Sequence, residues 1–180
     1  MTCIIGFVCP NSGKVYIGGD SAGVSGYNIQ IRGDEKVFRN GPFLMGFTTS
    51  FRMGQLLRYS LEPPEHPQDM DDMRFMVTQF IPAAKKCLKD GGWLKTKDGQ
   101  DDGGAFLVGY RGRLYEIDDD CQVGKISDNI ASVGCGSHTA LGAMYGLHQW
   151  TDPYARIGKS LEITTHLNGG VRPPFVIEEM

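Results

Sequence analysis

"TCIIGFVCPNSGKVYIGGD", residues 2–20, carries the reading of the fold. After Thr2, residues 3–9 form an apolar run that reads as a buried strand. "NSG" at 11–13 is a turn signal, and "KVYIGGD" at 14–20 returns as a second strand. The chain therefore opens on a hairpin whose first strand starts at residue 2. The run is too short for a signal peptide and has no basic segment before it.

Working outward, "SAGVSGYNIQIRGD" is polar and broken by glycine, and reads as a loop with one short strand. "EKVFRNGPFLMGFT" gives two short strands around "RNGP". The period then changes. Phe51, Leu56, Leu57 and Leu61 sit near helical spacing, and Pro63 and Pro64 stop the helix. "PQDMDDMRFMVTQFIPAAKKCLKD" reads as a second helical segment kinked at Pro82. Asp69, Asp71 and Asp72 near its start and Lys85, Lys86 and Lys89 near its end suit the helix dipole.

"GGWLKTKDGQDDGG" reads as a loop, "AFLVGYRGRLYEIDDDCQVGKI" as a strand meander and "IASVG" as another strand. "SHTALGAMYGLHQW" and "DPYARIGKSLEITTHL" read as helices, the latter with Asp152 as N-cap and Pro153 at the first helical position. "NGG" at 168–170 supplies the glycine stop, and "PPFVIEE" is a closing strand. The order is strands, two helices, strands, two helices, strand. That order is not alternating βαβ. It predicts an α+β fold, a four-layer α-β-β-α sandwich of two antiparallel sheets, in one domain over residues 1–180.

Composition narrows the function classes. Hydrophobic residues make up 41% and charged residues 22% of 180, as expected of a soluble globular chain with a sizeable core. A net charge of -3 gives no electrostatic case for nucleic acid or an anionic membrane. No run approaches the roughly 20 apolar residues of a bilayer span. A cytoplasmic location is expected. The five cysteines are scattered without a C-x-x-C, which argues against a disulfide framework or a zinc site. The four histidines lack metal-ligand spacing. No metal or organic cofactor is expected.

Taken in order, "MT", "GKVYIGGDSAG", "EKVF", "FLMGFTTSFRMGQLL", "GRLYEIDDDCQV" and "ASVGCGSHTALGAM" resemble the proteasome-type N-terminal nucleophile hydrolases, over nearly the whole chain. The resemblance implies the four-layer fold and a threonine peptidase. Thr2 would be the nucleophile, Lys36 the tuning cation and Asp20 its partner. Taken singly, these are a residue after Met, a solvated charge on an edge strand and a turn residue. The chemistry explains why such a site needs a terminus. A threonine hydroxyl needs a base. A free α-amine, with a reference pKa of ~7.7–8.0, supplies one near neutrality, and a nearby ammonium pushes that pKa lower. Removal of Met1 would free the amine, and a small residue after Met is what methionine aminopeptidases accept.

The resemblance also marks departures. Thr49, in "TTSF", stands where the family has a glycine pair at the backbone N–H that stabilises the oxyanion. Cys135 replaces a serine in a G-S-G turn, and a thiol is a poorer donor than a hydroxyl. Ser137 is the candidate substitute. Thr165 and Asn168 stand where an aspartate and a serine are usual. The resemblance implies a ring homo-oligomer, with two stacked rings as one form, polypeptide substrates, and room for an ATP-dependent unfoldase partner. Two rival readings remain. One is a catalytically silent ring subunit of the same fold. The other is a serine esterase with Ser21 of "GDSAG" as nucleophile and His138 or His166 as base, which requires a helix directly after the serine.

Overall fold

In a computed structural model of the chain, the backbone is described for residues 1–180 and every side chain except that of Lys97. Strands β1 (Ile4–Val8), β2 (Val15–Gly19), β12 (Ile130–Val133) and β13 (Val176–Glu179) form one antiparallel sheet in the order β12-β1-β2-β13. The second sheet runs β11-β10-β9-β6-β5, from β5 (Val37–Asn40), β6 (Phe43–Phe47), β9 (Phe106–Tyr110), β10 (Arg113–Ile117) and β11 (Val123–Lys125).

Side-chain alternation fixes the layers. Ile4, Val15, Ile17, Val37, Leu44, Leu107 and Leu114 meet between the sheets. Cys3, Ile5, Phe7 and Tyr16 face the other way, onto α4 (Ser137–Gly146) and α5 (Pro153–Leu167) through Ala140, Met144, Ile157 and Leu161. Phe38, Phe43, Met45, Phe47, Phe106 and Val108 pack under α1 (Phe51–Tyr59), α2 (Asp72–Phe75) and α3 (Ile81–Asp90). This is the expected α-β-β-α sandwich, and β1 is apolar throughout because both of its faces are covered. Glycine brings the sheets together. A Cβ on Gly46 would lie 2.6 Å from Ile4 Cγ2 and 2.7 Å from Ile17 Cγ2.

Four local expectations are corrected. Residues 22–31 are a two-stranded ribbon, β3 (Ala22–Ser25) and β4 (Asn28–Ile31), rather than a loop with one strand. The segment read as a loop near residue 98 is a hairpin, β7 (Lys95–Lys97) and β8 (Gln100–Asp102). The second helical segment starts only at Asp72, capped by Asp71, and widens into a π-turn over Met76–Phe80. Pro82 lacks an N–H and its ring would strike the carbonyl four residues back, and the wide turn opens room there. Finally, α5 stops at Asn168 in extended conformation rather than at a left-handed glycine, and the Asn168 Oδ1 accepts from Gly170 N–H at 2.9 Å. Among the described residues no helix is long and apolar enough to cross a membrane.

Candidate active site

The β1–β2 register pairs Ile4 with Gly19, so the residue after β2 arrives beside the residue before β1. Asp20 is thereby buried next to Cys3, at 2% exposure. Its Oδ1 accepts from Cys3 N–H and from Lys36 Nζ, both at 2.9 Å. Its Oδ2 accepts from Ala22 N–H at 2.9 Å and Arg172 N–H at 3.3 Å. Lys36 comes from the other sheet, one residue before β5, where its carbonyl accepts from Phe47 N–H at 3.1 Å. Gly19 makes this close approach feasible. A Cβ on Gly19 would sit 2.7 Å from Ile4 Cδ1 and 3.0 Å from Val37 Cγ2.

Lys36 Nζ also lies 3.0 Å from Thr2 Oγ1. Thr2 is 6% exposed and Lys36 2%. The structure therefore brings Thr2, Lys36 and Asp20 into one chain of contacts. Burial pushes the Lys36 ammonium below its ordinary pKa, and the Asp20 carboxylate pulls it back. Thr2 Oγ1 also donates to the Met1 carbonyl at 2.6 Å, across the peptide bond that blocks the amine. The Met1 side chain, half-exposed, lies against Gly170 so closely that a Cβ there would come within 2.4 Å of Met1 Cβ.

On the amine side, Thr2 N–H donates to Cys135 Sγ at 3.3 Å. The Cys135 thiol lies 3.3 Å from Asn168 Oδ1, and Asn168 Nδ2 donates back to the Cys135 carbonyl at 2.8 Å. Cys135 and Asn168 thus stand together beside the nitrogen that would become the base. Thr165 and Ser137 do not join them. The Thr165 hydroxyl turns into its own helix and donates to Glu162 O at 2.7 Å. Ser137 opens α4 and lines a separate cavity with Ser132, His138 and Tyr145. Two positions along the chain from Cys135 a side chain points elsewhere, so Ser137 takes no hydrogen bond to Thr2.

Sequence reasoning missed Gly134. It adopts φ of +100°, and a Cβ there would lie 2.3 Å from the Thr2 carbonyl oxygen. The signal was present as the first glycine of "GCG".

Thr49 ends the path from β6 into α1 with φ of +60°, a strained value for a β-branched residue. Ser50 N–H donates across it to Thr48 O at 2.6 Å, and Ser50 Oγ caps α1. Ala105 N–H donates to Thr49 Oγ1 at 3.3 Å. Among the described residues the Thr49 N–H meets no acceptor. It lines, with Thr2 and Phe47, a cleft of about 490 Å³. An unpaired backbone N–H on the wall of the cleft that Thr2 lines is a donor that a bound oxygen could use. The Ser21 alternative loses its geometry. The Ser21 hydroxyl donates to Pro174 O at 2.6 Å, and a strand follows rather than a helix.

Two antiparallel sheets between helix pairs, with the first strand delivering Thr2 to a buried lysine, define the proteasome-type N-terminal nucleophile hydrolase fold. Solved structures carry the same architecture along the whole chain. The Thiobacillus denitrificans protein BPH is similar with a TM-score of 0.82 at 18% identity, covering 99% of this chain and 97% of that one. BPH in complex with epoxomicin gives 0.80 at 18% identity, covering 99% and 98%. HslV from Trypanosoma brucei gives 0.68 at 18% identity, covering 99% and 98%. Anbu, an ancestral β-subunit from Yersinia bercovieri, gives 0.64 at 15% identity, covering 99% and 81%. No family model matches the chain, and no curated protein sequence does.

Proposed function

We propose that the protein is a threonine endopeptidase acting on unfolded polypeptide, with Thr2 as nucleophile once Met1 is removed. The observation that carries this reading is Lys36 Nζ, buried and held between Thr2 Oγ1 at 3.0 Å and Asp20 Oδ1 at 2.9 Å. A buried lysine is costly unless its charge is used, and here it points at a hydroxyl.

The reaction follows from the groups present. The free amine of Thr2 takes the hydroxyl proton as Oγ1 attacks the peptide carbonyl, and the Thr49 N–H, on the same cleft, would receive the oxyanion. The C–N bond then breaks, and the proton passes to the leaving amine. An ester on Thr2 remains. The same amine deprotonates a water, which cleaves the ester and restores the hydroxyl. Lys36 keeps a positive charge beside both events, favouring the neutral amine. Cys135 and Asn168 orient the amine.

Self-association into a ring homo-oligomer, with two stacked rings as one form, belongs to this reading, as does an ATP-dependent unfoldase partner. The two-ring form would appear in sedimentation velocity as a particle many times the 19.8 kDa chain.

Intact-mass measurement with an epoxyketone peptide tests the chemistry. The expected result is loss of Met1 and a single adduct on Thr2, absent in Thr2→Ala and unchanged in Ser21→Ala. Retained Met1 with no adduct would instead point to a silent ring subunit.

A further inference from the structure

We infer that the cleft beside Thr2 selects an acidic side chain, glutamate or aspartate, on the residue that supplies the attacked carbonyl. The inference rests on the threonine-peptidase reading of the same site and goes on to name its substrate class.

The cleft is cationic in an acidic protein. Arg32 and Arg52 line it and, among the described residues, no carboxylate does, although the chain carries a net charge of -3. Arg32, just after β4, is fixed from three directions. Its stem lies against Gly23, where a Cβ would come 3.1 Å from Arg32 Cγ and 3.2 Å from Cδ. Its guanidinium carbon sits 4.2 Å from the centroid of the Phe51 ring. Its Nε and Nη2 donate to the two oxygens of Asp34 at 2.6 and 2.5 Å.

That arrangement uses one edge of the guanidinium. A guanidinium offers five N–H donors in a planar fork, and the edge between Nη1 and Nη2 can still hold a second carboxylate. Among the described residues nothing accepts from Nη1. The fork is thus ordered before a ligand arrives, which lowers the entropic cost of binding. Asp34 offsets part of the charge but does not line the cleft, so it supports the fork without occupying the free edge.

Phe51 connects this fork to the reacting atoms. Its ring centroid is 5.7 Å from Lys36 Nζ, the group that contacts Thr2 Oγ1. A side chain leaving the attacked carbonyl and extending along the cleft past Phe51 would reach the Arg32 guanidinium. A carboxylate there gains charge-assisted hydrogen bonds. A lysine meets like charge. A bulky aromatic has to displace Phe51, whose ring also packs edge-on against Phe47 at 5.6 Å.

Fluorogenic peptide amides that differ only in the final residue (Glu, Asp, Gln, Leu or Lys) provide the test, on full-length protein lacking Met1. The Arg32–Asp34 pair is about one-third exposed. Solvent screening therefore limits the expected preference of Glu over Gln to about tenfold in kcat/KM. That ratio should fall close to one in Arg32→Gln, with thermal unfolding confirming that the variant folds. Equal cleavage of Gln and Glu substrates, or a ratio unchanged in Arg32→Gln, overturns the inference. If Thr2 takes an epoxyketone adduct while no acidic preference appears, the specificity inference fails and the peptidase reading stands. If nothing is cleaved, fluorescence anisotropy of labelled Glu and Gln peptides on Thr2→Ala still decides the specificity. Tighter binding of the Glu peptide that Arg32→Gln abolishes supports it, and equal binding overturns it.

Discussion

Lys36 is the residue on which the proposed mechanism turns, and its structural and proposed catalytic roles separate experimentally. As a charge it sits between Thr2 and Asp20, with side-chain exposures of 1% for Lys36 and 0% for Asp20. Lys36→Met keeps an apolar stem of nearly the same length and removes the ammonium. Asp20 retains three backbone donors, from Cys3, Ala22 and Arg172. The loss in stability should therefore be about 3 kcal/mol, the low end for breaking a buried pair. The loss in reactivity should be far larger, a fall of at least about a hundredfold in the rate of Thr2 labelling, since the amine and the hydroxyl both lose their neighbouring charge. Urea unfolding and labelling kinetics on the same variant check both, and a Lys36→Met protein labelled at the wild-type rate would contradict the role. That Thr2, Asp20 and Lys36 come together was legible from the order of the motifs. The Cys135–Asn168 partnership was not, because it depends on how the turn before α4 meets the end of α5. Ser137, chemically the better donor, was a reasonable choice on residue type alone and fails on direction.

At the scale of elements, the sandwich was legible because apolar periodicity reports burial. It switches from continuous in β1 to helical in α1, and both readings survive folding. Short polar ribbons carry no such signal. Asp98 and Gly99 form a two-residue turn with φ of +52° and +82°, the Asp-Gly pattern that suits a hairpin, yet the flanking residues of β7 and β8 are polar and concealed it. At Gly26, whose φ of +58° starts the two-residue turn between β3 and β4, the strands are only four residues each, and β4 is exposed along its length despite Ile29 and Ile31. Turn chemistry also sets the position of Thr2. Gly134 links β12 to α4, and the atoms a Cβ would meet, Thr2 O at 2.3 Å and Thr2 C at 2.9 Å, are backbone and cannot swing aside. Gly134→Ala should therefore cost about 1–3 kcal/mol of stability from overpacking. It should reduce Thr2 labelling tenfold or more by displacing Thr2 from Lys36. Gly142→Ala is the matched control on α4. Its Cβ meets nothing within 4 Å, and it should stabilise the protein by up to about 1 kcal/mol through helix propensity. Equal labelling of the two variants would detach the turn from the site.

For the whole molecule, groups buried around the site couple global stability to pH. The Cys3 thiol lies between the β12-β1-β2-β13 sheet and the α4–α5 layer, fully buried, and its pKa is raised from 9.0 to about 12. Burial is the main cause, the Ser132 hydroxyl opposes it, and the Asp20 carboxylate adds to it. Between those two values the unfolded chain has lost the Cys3 proton while the folded chain keeps it. Stability from this group is thus complete below about pH 9 and is lost as pH rises through about 12. Lys36 works in the opposite sense. Its folded pKa lies below 10.5, so the unfolded chain holds the extra proton just under that value, and stability from Lys36 rises with pH there. The two slopes overlap in the wild type and separate in a difference. Cys3→Ala keeps the backbone N–H that binds Asp20 and leaves Lys36 in place, and its packing loss does not depend on pH. The stability gap between wild type and Cys3→Ala, read from urea midpoints at about pH 8, 9.5 and 11, should therefore narrow steadily as the pH rises. A constant gap would mean that Cys3 ionises freely in the folded state.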